Sequence, residues 1–63
     1  MKAEKKLVGI AWVSERLELS RSTIYRMVEA GEIPAVRIGG AIRFDPEQVE
    51  AWLEHELNRS WGR

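Results

Sequence analysis

One spacing recurs three times along the chain: an apolar residue, a residue suited to start a helix, and a second apolar residue four positions further on. Val8-Gly9 is followed by Val13, Leu19-Ser20 by Ile24, and Phe44-Asp45 by Val49. An apolar residue just before an N-cap packs on the residue at N4 and sets the angle at which the chain enters the helix. The pattern predicts three helix starts. At the third, Pro46 occupies N1, where a missing N–H costs nothing, and Gln48 at N3 completes a capping-box pattern around Asp45. Gly9 offers no side-chain acceptor, so the first start rests on the apolar pair alone.

From these starts the apolar residues continue at helical spacing. Ile10, Val13 and Leu17 predict a helix over about 10–17; Ile24, Met27 and Val28 one over 21–30; Val49, Trp52, Leu53 and Leu57 one over 46–58. Gly31 is the preferred residue just beyond a helix end, and Pro34 confirms the break. The three stripes are expected to share one core. That core must be economical, because a chain of 63 residues buries only about 60% of its unfolded surface. With no cysteine, no disulfide or thiolate-bound metal can assist it.

Between the second and third helices, residues 35–44 alternate β-branched and other residues around Gly39-Gly40, which reads as a β-hairpin. A two-residue loop would pair Ile38 with Ala41 and mix apolar and charged residues on each face. A three-residue or bulged loop over 39–41 pairs 38 with 42, 37 with 43 and 36 with 44, and gathers Val36, Ile38, Ile42 and Phe44 on one inner face. The second register is expected. It sets Arg37 opposite Arg43 on the outer face, a like-charge pair that a bound phosphate would relieve.

The charges sum to zero but are not evenly spread. Residues 20–43 carry Arg21, Arg26, Arg37 and Arg43 against Glu29 and Glu32, while residues 44–58 carry Asp45, Glu47, Glu50, Glu54 and Glu56 with no Lys or Arg. A basic middle and an acidic end predict a two-faced surface. His55 stands alone among glutamates, and the glutamates of the third helix read as a solvated flank. Gly39-Gly40 lacks the Lys-Ser/Thr and the helix that a nucleotide loop requires. No catalytic set, metal site or cofactor is expected. The apolar run Leu7–Val13 is too short to span a membrane and lacks a cleavage site, so a cytoplasmic protein is expected.

Functional content concentrates in residues 10–30. Two short helices joined by Glu18-Leu19-Ser20 have the connection length of a helix-turn-helix. Opposite its core face the second helix presents Ser22, Tyr25, Arg26 and Glu29, with Arg21 and Thr23 on the flanks. Arg21, Ser22, Thr23, Tyr25 and Arg26 all donate hydrogen bonds to phosphates or base edges, and they lie in the first two turns, the part of a recognition helix that enters the major groove. The helix start at Ser20 adds a partial positive charge.

Leu17-x-Leu19-Ser20-Arg21-Ser22-Thr23-Ile24-Tyr25-Arg26, then Gly31-x-Ile33-Pro34-Ala35-Val36-Arg37-Ile38-Gly39, then Arg43-Phe44 and Ala51-Trp52-Leu53, resemble the excisionase-type winged helix-turn-helix, a relative of the MerR DNA-binding domain. The resemblance covers about residues 7–57. Three positions depart from it. The inter-helix turn often has glycine where this chain has Glu18; a positive φ there costs roughly 1 kcal/mol. The wing tip often carries an additional arginine where this chain has Gly40. The first helix usually has a polar residue where this chain has Trp12, which either marks a protein contact or folds onto the N-terminal segment or the hairpin.

The expected fold is therefore α+β but mainly α, a small winged helix-turn-helix over residues 7–58, between a flexible segment 1–6 and a frayed tail 59–63. The resemblance implies sequence-specific binding of double-stranded DNA, as an excisionase-like recombination directionality factor or a transcriptional regulator, with an integrase or the transcription machinery as possible protein partner. The residues expected to meet DNA are Ser20, Arg21, Ser22, Thr23, Tyr25 and Arg26 on the helix, and Arg37, Gly39, Gly40 and Arg43 on the wing. The alternative is a protein-interaction module on the same fold. No heptad pattern follows residue 57, so a monomer in solution is expected.

Overall fold

The computed structural model describes residues 6–61. Its elements run α1 (Ile10–Leu17), α2 (Arg21–Glu29), β1 (Val36–Ile38), β2 (Ala41–Arg43) and α3 (Pro46–Trp61). Three helices and a two-stranded antiparallel hairpin make the mainly helical, winged helix-turn-helix arrangement expected from the sequence. α2 ends one residue early, with Ala30 as its cap, and α3 continues three residues past 58. Apart from Lys6, the N-terminal segment 1–6 lies outside the described residues, as do residues 62 and 63 of the tail.

The repeated cap spacing explains where the core sits. Val13, Ile24 and Val49 are the N4 residues of the three helices, and all three are fully buried. Phe44, which precedes the cap of α3, is fully buried with them, and Ile33 completes the cluster. Ile10, Trp12, Leu17, Met27, Val28, Ile42 and Trp52 pack around it, each half-buried. Leu57, the last apolar residue of the α3 stripe expected in the core, is exposed instead, as is Leu19 ahead of α2. Phe44 is also held through its backbone. Its N–H donates to the Val8 carbonyl and its carbonyl accepts from the Val8 N–H, both at 2.8 Å. This bridge fastens the start of the chain to the end of the hairpin.

Ser20 and Asp45 cap their helices as expected, Asp45 through the amide at N2 rather than at the capping-box position N3. Ser20 Oγ accepts from the Thr23 N–H at 3.2 Å, and Asp45 Oδ1 accepts from the Glu47 N–H at 3.0 Å. α2 closes in a Schellman motif: the Glu32 N–H reaches the Met27 carbonyl, the Gly31 N–H reaches the Val28 carbonyl, and Gly31 takes φ +71°. Gly9 caps α1 without a side-chain hydrogen bond.

The hairpin departs from the expected register. Val36 pairs with Arg43, Arg37 with Ile42 and Ile38 with Ala41, so the loop is the two-residue Gly39-Gly40. Gly39 has φ +63° while Gly40 is not left-handed, the pattern of a type II′ turn with glycine first. Such a turn matches the natural twist of the strands, and that preference outweighs segregation of the faces. Val36 and Ile38 consequently point outward, 46% and 54% exposed, and only Ile42 and Phe44 contribute to the core side. Arg37 and Arg43 do not oppose one another; they leave from opposite faces of the hairpin.

A bidentate ion pair ties α1 to α3. Arg16 Nε and Nη2 donate to Glu50 Oε2 and Oε1 at 2.5 and 2.7 Å, so Glu50 is not simply part of a solvated flank. The hydrogen bonds from Arg16 hold the Glu50 carboxyl below the usual carboxylate range. A carboxylate depressed in the folded state adds stability above its unfolded pKa and loses it as pH falls through the folded one. Comparing melts of wild type and Glu50→Gln from pH 7 downward should show a wild-type advantage that shrinks to nothing in acid. A pH-independent difference would mean that the pair contributes no charge interaction. Phe44→Ala should cost about 3–5 kcal/mol, as for other buried aromatics. Since the net stability of a domain this small is rarely above about 3–5 kcal/mol, the variant should be largely unfolded by circular dichroism at 25 °C.

Candidate nucleic-acid interface

The turn between α1 and α2 is built by Ser14, Glu18 and Leu19. Glu18 takes φ 57° and ψ 44°, the left-handed conformation, and is the one non-glycine residue with positive φ among the described residues. Ser14 clasps Leu19 from both sides: its carbonyl accepts the Leu19 N–H at 3.1 Å, and its hydroxyl donates to the Leu19 carbonyl at 2.6 Å. The clasp holds a strained residue in place and fixes the angle at which α2 leaves α1. Nothing in the apolar pattern singled out Ser14; a serine four residues before the left-handed position was the available signal.

On α2, burial of Ile24 turns Arg21, Ser22, Tyr25 and Arg26 outward. All four are exposed, Tyr25 by 49%, while Thr23 is half-buried. The hydroxyls at the helix start are linked. Ser20 Oγ lies 2.9 Å from Thr23 Oγ1 and 3.3 Å from Ser22 Oγ, and Arg26 Nη2 donates to Thr23 Oγ1 at 3.4 Å. Ser20 and Thr23 thus cap the helix and orient Arg26, so their hydroxyls are engaged within the protein. Arg21 has no hydrogen-bond or ion-pair partner among the described residues and projects from the first position of the helix.

The wing brings its arginines to two different places. Arg43 Nη1 donates to the Ile42 carbonyl at 2.8 Å and lies near Gly9, where an added Cβ would sit 3.9 Å from it. Arg37 crosses to α2, where its Nη2 donates to Glu29 Oε2 at 2.8 Å. Gly39 and Gly40 form the exposed tip between them. The sequence left no sign of the Arg37–Glu29 contact, because it depends on a hairpin register that only the turn geometry decides. Trp12 is half-buried against the core, which draws it into the fold beside α1's own stripe. Among the described residues no group of His, Cys, Asp and Glu is arranged to hold a metal, and no helix is long and apolar enough to cross a membrane.

A first helix anchored in the core by Val13, joined by a short strained turn to a second helix with an exposed, hydroxyl- and arginine-rich face, with a hairpin alongside, defines a helix-turn-helix domain. The chain belongs to that family, which it matches over residues 7–56, from the segment before Val8 into α3. It is 38% identical over 52 residues to a protein of Mycobacterium tuberculosis strain CDC 1551 / Oshkosh named "Putative DNA-binding protein". The same identity and span hold for a protein of that name in strain ATCC 25618 / H37Rv. The alignment takes in 82% of this chain and 67% of each relative. No solved structure matches the chain.

Strain at Glu18 is directly measurable. Glycine adopts the left-handed conformation without the clash that costs another residue roughly 1–2 kcal/mol, though it loses more entropy on folding. Glu18→Gly should therefore raise stability by up to about 1 kcal/mol in urea unfolding, and Glu18→Val should lower it. A glycine variant less stable than wild type would show that the turn does not carry this strain in solution.

Proposed function

We propose that this chain binds double-stranded DNA in a sequence-specific manner, with α2 in the major groove and the hairpin beside it on the backbone. The observation that carries this reading is the first two turns of α2. Four side chains able to donate to bases and phosphates stand outward there on a helix whose opposite side is locked into the core. Arg21, at the helix start, reads a base edge with Ser22. Arg26, oriented by Thr23, grips phosphate, and Tyr25 covers the backbone. Arg37 and Arg43 contact phosphate on the two sides of the Gly39-Gly40 tip. Acidic α3 belongs on the side away from DNA, where its charge does not oppose binding. The description of the mycobacterial relatives as DNA-binding agrees with this assignment.

The role served by that binding is, in this reading, that of a small excisionase-like factor or a transcriptional regulator, with no catalysis of its own and with a recombinase or the transcription machinery as protein partner. The outward Val36 and Ile38 favour a second reading, a protein-interaction module on the same fold.

A gel shift at two salt concentrations separates the two, since duplex binding weakens steeply with salt through counterion release. Replacing both Arg37 and Arg43 by Ala should weaken matched and scrambled duplexes alike and flatten the salt dependence by up to about two units of slope. Arg21→Ala should instead lose about 1–3 kcal/mol of discrimination between them, and Arg26→Ala mainly general affinity. Sequence preference that survives Arg21→Ala and Arg26→Ala but shifts with the wing pair would unseat α2 as the reader.

A further inference from the structure

Among the four arginines of residues 20–43, Arg37 is the one held by a carboxylate. Arg26 donates to a hydroxyl, Arg43 to a backbone carbonyl, and Arg21 to nothing among the described residues. Neutral acceptors leave a guanidinium's charge intact, whereas Glu29 cancels that of Arg37. The pair also spans the two elements assigned to DNA, since Glu29 is the last residue of α2 and Arg37 the centre of β1. Both side chains are well exposed, 60% for Arg37 and 69% for Glu29. Water and salt therefore reach the pair and it opens readily. A phosphate and a carboxylate offer a guanidinium the same kind of anionic oxygen. Glu29 and a DNA phosphate are rivals for one donor.

We infer that Glu29 is an intramolecular competitor for the wing: it holds Arg37 against the end of α2 and withholds that charge from a polyanion until a phosphate displaces it. Glu29 is thus a positioning residue, acting through Arg37 rather than on the nucleic acid, and the inference rests on the DNA-binding reading above. One consequence is that the interface presents a smaller effective charge than its arginines imply. Another is that the wing engages only where a phosphate is presented well enough to outbid the carboxylate.

The test uses wild type, Glu29→Gln, Arg37→Gln and the double variant, all at exposed positions whose melts should match. Fluorescence anisotropy on a mixed-sequence duplex is read across a salt series, and elution from heparin is read in parallel. In the wild-type background Glu29→Gln should tighten duplex binding by about threefold and steepen the salt slope by up to about 0.9, because no carboxylate is then left to take up a cation when Arg37 moves to phosphate. In the Arg37→Gln background the same change should have less than half that effect. Equal effects in both backgrounds would show that Glu29 acts only as a diffuse negative charge and overturn the inference. No effect in either, or weaker binding by Glu29→Gln, would also overturn it. Heparin separates this from the DNA reading. An Arg37-dependent shift on heparin with no variant binding duplex would retain the competitor and reject DNA as the ligand. Duplex binding with equal shifts in both backgrounds would do the reverse.

Discussion

The structure depends on the burial of Phe44 among the N4 residues of three helices. Val13, Ile24 and Val49 each sit one turn inside a helix start, so packing them on one aromatic ring fixes where all three helices begin. The arrangement suits a chain with little apolar surface to spend. A few residues placed at helix starts do the work that longer stripes do in larger domains, and burying each such side chain contributes about 1.5–3 kcal/mol. Far from this centre the packing thins. Leu57 near the end of α3, Leu19 in the turn and the outer face of the hairpin are all exposed.

Much of this was legible because it is local. A cap, its apolar partner and a C-terminal glycine lie within a few residues of each other, and the helix starts and the Schellman end at Gly31 follow from such short-range chemistry, whereas the left-handed Glu18 was suggested only by the family resemblance. The outward set on α2 was legible for a related reason, since a core stripe at Ile24, Met27 and Val28 determines the opposite face. The hairpin register was not. It turned on a conflict between segregating the faces and satisfying a type II′ turn, and the apolar pattern of Val36 and Ile38 pointed to the losing side. Contacts set by that register, or by helices meeting at a distance, were equally hidden. Arg37–Glu29 and Arg16–Glu50 join residues 8 and 34 positions apart, with no spacing to announce them.

Residues of α2 and its cap expected from the sequence to meet DNA divide into two kinds. Ser20 and Thr23 spend their hydroxyls on the helix start and on Arg26. Arg21, Ser22 and Tyr25 stand clear of the core. The strained turn bears on this division too, because Glu18 and the Ser14 clasp act together with the burial of Ile24 in orienting α2.

The bridge between Val8 and Phe44 has a bearing on how the domain can be handled. Two backbone hydrogen bonds stitch the segment just ahead of α1 to the end of the hairpin, so Val8 belongs to the packed fold as much as the first helix does. A deletion reaching Val8 would leave the buried Phe44 amide and carbonyl without partners, a penalty of about 1–3 kcal/mol for each group. Purification tags, fluorophores and fused modules therefore belong upstream of Lys6, joined through a flexible linker that leaves the bridge intact. The family match, over residues 7–56, takes in this segment as well.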